Sequence, residues 1–290
     1  MTWLWIGVLR LLHALLPIGG LARVGEALGS LLFVVAKERR HVVLANLRLC
    51  FPDMAEAQRA TLARAHVRAF GRSLLLETVS WWGTAEELER LVEVRGAEIL
   101  KTHADKPQIL LVPHFVGINT GGVRIIQMPI HLVNIYSPVK NPAIERLVEH
   151  SRHRFGRVLL YNRHEGVKPV IRALKQGHPF HYSPDLDYGR KDAIFVPFFG
   201  VPAATITGLS RIARATGAVV IPALTLWENG RYVLRFHPAW DDFPTHDVEA
   251  DTRRMNVWLE ARIREAPEQY FWVHRRFKTR PEGEKGVYDA

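Results

Sequence analysis

The pattern of hydrophobic and polar residues separates an apolar N-terminal segment from a longer region of alternating strands and helices. Residues 3–17 and 21–36 form two nearly continuous apolar runs, and neither reaches the ~18–20 uncharged residues of a secure membrane-spanning helix. The first run holds two tryptophans, which favour a lipid–water interface, and the basic residues of 37–41 suit a cytoplasmic flank beside anionic lipid. We therefore predict one short membrane-inserted or interfacial helix within residues 1–36, with a buried core helix as the alternative.

Residues 37–290 are predicted to form a single α/β domain. Short apolar runs that end at breaking residues predict buried strands, whereas apolar positions three and four residues apart predict helices. Their alternation indicates a mainly parallel sheet flanked by helices, and the Asn229-Gly230 dipeptide predicts an antiparallel hairpin at one edge. The predicted strands are 91–94, 109–112, 131–136, 158–161, 180–183, 218–227 and 232–236, and the predicted helices are 52–77, 141–155, 167–176, 205–216 and 247–265.

Composition and charge narrow the possible compartments and partners. Apolar residues make up 48% and charged residues 23% of the 290 residues, which excludes a disordered chain. The single cysteine, Cys50, excludes an internal disulfide and a multi-thiolate metal site and favours a reducing compartment. The net charge of +10 favours nucleic acid, an anionic membrane or an acidic substrate as partner. Because zinc-finger spacing, an RNP-like motif and a basic tail are all missing, we do not expect nucleic acid.

The stretch from Gln108 to Asn119 carries the strongest candidate for chemistry. The predicted strand 109–112 leads directly into His114, and α/β sheets place their reactive groups just past the carboxyl ends of such strands. A neutral imidazole there could remove a proton from an alcohol if its second nitrogen has a partner. If residues 115–122 begin a helix, Asn119 falls about one turn from His114 and could supply that hydrogen bond, although without a carboxylate's charge. The alternative is a structural role, since the chain has 14 histidines.

Three later segments add groups that suit a binding site. Arg163 follows one predicted strand, where its guanidinium could bind a phosphate or carboxylate or form a salt bridge. Asp185 and Asp187 follow the next strand and could orient a base or cap turns, and the basic residues 190–191 argue against a cation site. The apolar segment 194–205, which is rich in breaking residues, suits a pocket wall or membrane-facing loop for an acyl chain, or else a plain core strand.

In these segments the chain resembles the late acyltransferases of lipid A biosynthesis, of the lauroyl and myristoyl type, which are related to the glycerolipid acyltransferases. The likeness extends over nearly the whole chain and includes a His-x4-acid position at His114. The proline-rich segment and the closing segment are its most specific parts. The segments that carry it are 46–52, 136–138, 141–142, 184–189, 195–203 and 266–281.

The resemblance implies a glycerol-3-phosphate-acyltransferase-like fold and an enzyme on the cytoplasmic face of the inner membrane. Such enzymes move a fatty acyl chain from acyl carrier protein to a hydroxyl of a phosphorylated lipid A precursor. Neither a metal, a cofactor nor a covalent acyl-enzyme is implied. Carried over by position, His114 would be the general base, and the expected substrate-binding residues are Arg152, Arg154, Arg163, Asp185 and Asp187.

The chain departs from the family at position 119, where Asn119 replaces the expected Asp or Glu. Three explanations are open: an inactivated form that traps substrate, a natural enzyme that uses Asn119 or borrows Asp185 or Asp187 to orient the base, or a non-catalytic relative that binds lipid or carrier protein. If Asn119 orients His114, an Asn119→Asp exchange should raise turnover by roughly 10²–10⁴. Acylation of another acceptor, such as a glycerolipid, ornithine lipid or glycolipid, is the competing enzymatic hypothesis.

Overall fold

The N-terminal segment forms two helices, α1 (Thr2–Leu15) and α2 (Ile18–Val35), in the computed structural model, which describes residues 2–288. The sequence predicted a single helix here. Pro17 separates the two, because its ring cannot continue the first helix yet is well suited to start the second. By length and composition, α2 is able to cross a membrane.

Helix α2 packs closely against the longest helix, α4 (Glu56–Trp82). A Cβ atom on Gly25 would lie 2.7 Å from the Cα atom of Arg72, so only glycine permits this approach of the two backbones. The carboxylate of Glu26 accepts a 2.7 Å hydrogen bond from the Arg72 guanidinium across the same interface. The apolar N-terminal segment is therefore fixed directly onto a helix of the α/β region.

A seven-stranded sheet forms the centre of the molecule and confirms the predicted, mainly parallel, mixed sheet. The strands of the chain are β1 (Val92–Arg95), β2 (Gln108–Leu111), β3 (Leu132–Tyr136), β4 (Val158–Asn162), β5 (Phe180–Tyr182), β6 (Ala193–Phe198), β7 (Val201–Ile206), β8 (Val219–Glu228) and β9 (Arg231–Phe236). The sheet order is β1-β9-β8-β2-β5-β3-β4, and only β8 and β9 pair antiparallel within it. Asn229 and Gly230 join that pair with φ angles of 49° and 86°, as the Asn-Gly signal predicts.

The remaining helices cover both faces of this sheet. They are α3 (Lys37–Cys50), α5 (Ala85–Leu91), α6 (Glu98–Thr102), α7 (Ile118–Gln127), α8 (Pro142–Arg154), α9 (Lys168–Lys175), α10 (Gly208–Thr216) and α11 (Val248–Glu265). Local signals fix several ends: the Asn141 side chain accepts a 3.0 Å hydrogen bond from the N–H of Ala143, and Gly217 ends α10 with a φ of 66°. Helices α7 and α8 contact α4 on one face, whereas α9, α10 and α11 share the other.

The apolar segment 194–205 belongs to β6 and β7, which form a separate two-stranded antiparallel sheet. Val196 and Phe198 are completely buried there, and the carbonyl oxygen of Pro197 accepts a 3.0 Å hydrogen bond from Asn256 of α11. Of the alternatives for this segment, the structure shows strands with a buried face, and none of the residues 194–205 lines the cavity described below. The proline is tolerated because its strand is at an edge of a two-stranded ladder.

Candidate active site

The carboxyl ends of β2 and β5 bring His114 and Asp185 together. These strands are parallel neighbours, with Leu111 paired to Tyr182. His114 comes three residues after Leu111, and Asp185 comes three residues after Tyr182. Both residues therefore lie equally far past the carboxyl edge of the sheet. This edge of a parallel sheet is where α/β proteins bind their ligands.

Asp185 holds the imidazole of His114 in one orientation. The Nδ1 atom of His114 lies 2.7 Å from one carboxylate oxygen of Asp185, and the backbone N–H of His114 donates to the other at 2.9 Å. The side chain of Asp185 is 1% exposed and that of His114 is 21% exposed. Burial raises the pKa of Asp185, but the charge and hydrogen bonds of His114 outweigh this effect and keep the pKa below its ordinary value. An ionised Asp185 therefore places the proton on Nδ1 and leaves Nε2 free to accept one.

The closing segment of the chain fixes the backbone around His114. The carbonyl oxygen of His114 accepts a 3.0 Å hydrogen bond from the N–H of Phe271, and the N–H of Val116 donates to the carbonyl oxygen of Gln269 at 2.8 Å. These two bonds join the closing segment to the loop that carries His114 and hold the backbone of the candidate base in place.

His114 lines a cavity of about 1020 Å³ that extends over the carboxyl edge of the sheet. On the side of α4, α7 and α8 several large apolar side chains line the wall. We call this set the apolar arm: Trp81, Ile118, Val123, Ile126 and Val148. The polar side chains of Glu77, Asn119 and Arg152 lie on the same three helices. On the side of α10 and the loops after β4 and β5 the wall carries cations; we call this side the basic arm, and it includes Arg163, Lys191 and Arg211. An elongated apolar group and an anionic group could therefore occupy the same cavity.

Asn119 lies in the first turn of α7 and lines the cavity, but its partner is not His114. Its side-chain N–H donates a 2.7 Å hydrogen bond to a carboxylate oxygen of Glu77 on α4. This contact takes the place of the predicted bond from Asn119 to His114. Of the alternatives drawn from the sequence, it is Asp185 that makes the hydrogen bond to the imidazole.

The four other predicted substrate-binding residues divide into two groups. Arg152 and Arg163 line the cavity. Arg154 instead donates to two carbonyl oxygens at the end of α4, at 3.0 and 2.7 Å, and Asp187 accepts bonds from the backbone N–H and hydroxyl of Thr279 at 2.6 and 2.8 Å. Arg154 and Asp187 thus have protein partners and are not among the residues that line the cavity, and the substrate contacts expected of them stay a prediction.

Other polar cavity residues were not singled out from the sequence for this role, among them Glu77, His181, Lys191 and Arg211. Burial lowers the pKa of His181 to about 4, so this imidazole is neutral at physiological pH. Glu77 could have been found, because it is an isolated acid within the largely apolar stretch 74–82. Lys191 and Arg211 sit among ordinary surface charges and carry no such signal.

The chain is similar to one family of known proteins over nearly its whole length. The profile of the family described as "Bacterial lipid A biosynthesis acyltransferase" matches residues 1–279. The chain is 38% identical to the lipid A biosynthesis lauroyltransferase of Escherichia coli (strain K12), over 99% of this chain and 94% of the relative. It is 30% identical to the palmitoleoyltransferase of the same organism over the same shares. It is 29% identical to the myristoyltransferase, over 92% of this chain and 83% of the relative.

Proposed function

This chain belongs to the bacterial lipid A biosynthesis acyltransferase family, and on that premise we propose that it transfers a fatty acyl chain from acyl carrier protein to a hydroxyl of a lipid A precursor. The observation that carries the proposal is the His114–Asp185 pair on the wall of a large cavity. A base with a fixed tautomer is what deprotonation of an alcohol requires.

In the proposed reaction, Nε2 of His114 accepts the proton of the acceptor hydroxyl as its oxygen attacks the carbonyl carbon of the acyl thioester. Asp185 stabilises the imidazolium that forms. The new C–O bond is completed as the C–S bond breaks, and the imidazolium returns its proton to the departing thiolate. The acyl group passes directly to the acceptor, so no covalent acyl-enzyme is formed.

The two arms of the cavity support the same assignment. The apolar arm suits the fatty acyl chain, because burying each methylene stabilises the complex by about 0.8 kcal/mol. The basic arm suits phosphate groups of the acceptor or acidic groups of the carrier protein. Arg163 keeps its proposed role as an anion-binding residue there, and Arg152 keeps its proposed role on the opposite wall.

The N-terminal helices support a location at the cytoplasmic face of the inner membrane. Large apolar side chains of α1 and α2 are exposed, among them Trp3, Leu4, Trp5, Leu11, Leu15, Leu31, Val34 and Val35. Contiguous apolar surface of this kind favours insertion into lipid. We propose that residues 1–36 form the membrane-associated segment and that residues 37–290 form the acyltransferase domain.

The test is acyl transfer by the purified full chain, given acyl carrier protein thioester and a tetraacylated, phosphorylated precursor, with the product mass measured. His114→Ala should lower the rate by roughly 10²–10⁴. His153→Ala, an exposed histidine on α8 outside the cavity, is the matched control and should leave the rate unchanged. A product formed only with a glycerolipid, ornithine lipid or glycolipid would move the function to the competing acceptor class, and full activity of His114→Ala would contradict the mechanism.

A further inference from the structure

Glu77 places a carboxyl group in the reaction cavity without a cationic partner. Its hydrogen bond is to the neutral amide of Asn119, and the structure gives it no salt bridge within residues 2–288. Glu26 on the adjoining helix, in contrast, contacts two arginines. One oxygen of Glu77 is thus engaged, while the group as a whole lines open cavity.

The surroundings of Glu77 favour a ligand that donates hydrogen bonds. The residue is partly buried, and this burial raises its pKa, although the Asn119 hydrogen bond and the charge of Arg152 oppose the rise. A carboxylate removed from water is stabilised by each donor that it gains. When Glu77 is ionised, its free oxygen accepts hydrogen bonds and donates none.

Building on the function proposed above, we propose that Glu77 binds a hydroxyl or amide N–H of the acceptor lipid and that Asn119 positions Glu77 for this contact. Glu77 is then a binding residue on the nucleophile side of the reaction. Asn119 lies in the first turn of α7, just after the loop that carries His114, and the Glu77–Asn119 pair lines the same cavity as His114.

The charge changes of the reaction favour the acceptor side for Glu77. During acyl transfer the thioester oxygen gains negative charge, which hydrogen-bond donors stabilise and a nearby carboxylate destabilises. The other hydroxyl and amide N–H groups of the acceptor lipid keep their protons throughout the reaction, and a carboxylate stabilises such donors. A carboxylate in the cavity is therefore compatible with the acceptor side and unfavourable on the thioester side.

The same contact accounts for asparagine at position 119. An acid at this position would bring a second carboxyl group to hydrogen-bond distance of Glu77, and one of the two would have to be protonated. Asn119 can donate to Glu77 without adding charge. At this wall of the cavity, Glu77 of α4 therefore supplies the carboxylate and Asn119 of α7 supplies the amide.

This pairing can be reversed, which allows a specific test. We would compare the full-length wild-type chain with Glu77→Gln, Asn119→Asp and the double variant Glu77→Gln/Asn119→Asp. The double variant restores an amide–carboxylate hydrogen bond with its direction exchanged. Separate KM values for the acceptor lipid and for the acyl carrier protein thioester, together with kcat, are the measurements.

Glu77→Gln should raise the acceptor KM by about 10–100-fold, the loss expected for a hydrogen bond to a charged group, and should leave the thioester KM within about twofold. The double variant should recover at least about tenfold of that loss. Glu149→Gln, which changes an exposed acid of α8 outside the cavity, is the matched control and should change neither KM. Melting temperatures of all variants check that the fold is intact.

An unchanged acceptor KM in Glu77→Gln, or a rise confined to the thioester KM, would overturn the inference. If the wild-type chain acylates no lipid at all, the proposed function fails by itself. Direct binding of the tetraacylated precursor, in detergent and without thioester, then still decides the inference: a loss of affinity in Glu77→Gln supports it, and equal affinity overturns it.

Discussion

The two ends of the segment from His114 to Asn119 each contact a carboxyl group, and the two contacts differ in burial and in bonding. Asp185 is 1% exposed and accepts two hydrogen bonds from His114, one of them from the backbone. Glu77 is partly exposed to the cavity and accepts one hydrogen bond, from a side-chain amide. A sequestered, doubly bonded carboxylate is fixed in place and suits stabilisation of charge on a base, whereas a carboxyl with a free oxygen suits an exchangeable ligand.

The difference teaches that residue type alone does not assign a role in this cavity. Both acids lie beside the same apolar-to-basic cavity, yet the pKa of Asp185 is lowered and that of Glu77 is raised. Burial raises the pKa in both, and only at Asp185 do the hydrogen bonds and charge of His114 reverse the direction. The three predictions below test this contrast.

The largest expected effect on kcat follows from a change at the buried contact between Asp185 and His114. Asp185→Asn should lower kcat by roughly 10²–10⁴, because an amide can no longer hold the proton on Nδ1 or stabilise the imidazolium. Asp187→Asn is the matched control, since Asp187 bonds Thr279 and lies outside the cavity; it should reduce the melting temperature with little change in kcat. Equal kcat losses in the two variants would argue that Asp185 only supports the fold.

A smaller effect on catalysis is expected from a change at the contact between Asn119 and Glu77, which is open to the cavity. Asn119→Asp should lower kcat/KM for the acceptor by about tenfold, because the new carboxyl would face Glu77 and not the imidazole. The sequence alone led to the opposite expectation, a rise of roughly 10²–10⁴. Steady-state kinetics of this single variant therefore separates the two accounts, and any large gain in turnover would return the orienting role to residue 119.

The smallest effect concerns stability, and it should have opposite signs at the two acids. The raised pKa of Glu77 means that the fold loses stability as pH rises from the ordinary glutamate value through that raised pKa. Glu77→Gln should therefore raise the melting temperature at pH 7, by no more than about 2–4 °C. The lowered pKa of Asp185 stabilises the fold above the ordinary aspartate value, and this contribution is lost as pH falls through the lowered pKa.

Asp185→Asn should accordingly lower the melting temperature at pH 7. In strong acid the melting temperatures of this variant and of the wild type should lie closer together. Thermal unfolding followed by circular dichroism at several pH values is the measurement. If both variants shifted the melting temperature in the same direction at pH 7, the two carboxyl groups would not be held as differently as the structure indicates.

Much of the sheet could be predicted because its signals are local. The predicted strand 109–112 corresponds to β2 (Gln108–Leu111), and the Asn-Gly hairpin and the helix ending at Gly217 lie where the sequence places them. Helices α3 and α5 were missed, and α6 and α7 were also absent from the predicted set. The first is rich in charged residues and buries Val42, Val43 and Leu47 only through tertiary contacts, and the second has seven residues, too few for a clear period.

The sequence by itself determined that His114 follows a buried strand and that acids follow another, because hydrophobic runs and breaking residues are features of neighbouring positions. Only the tertiary structure decided which acid meets the imidazole. Strand β5 lies beside β2 and in register with it, which brings Asp185 to His114, while α4 crosses α7 and takes Asn119 to Glu77. Strand order and helix packing depend on contacts between residues far apart in the chain, and no local pattern of side chains encodes them.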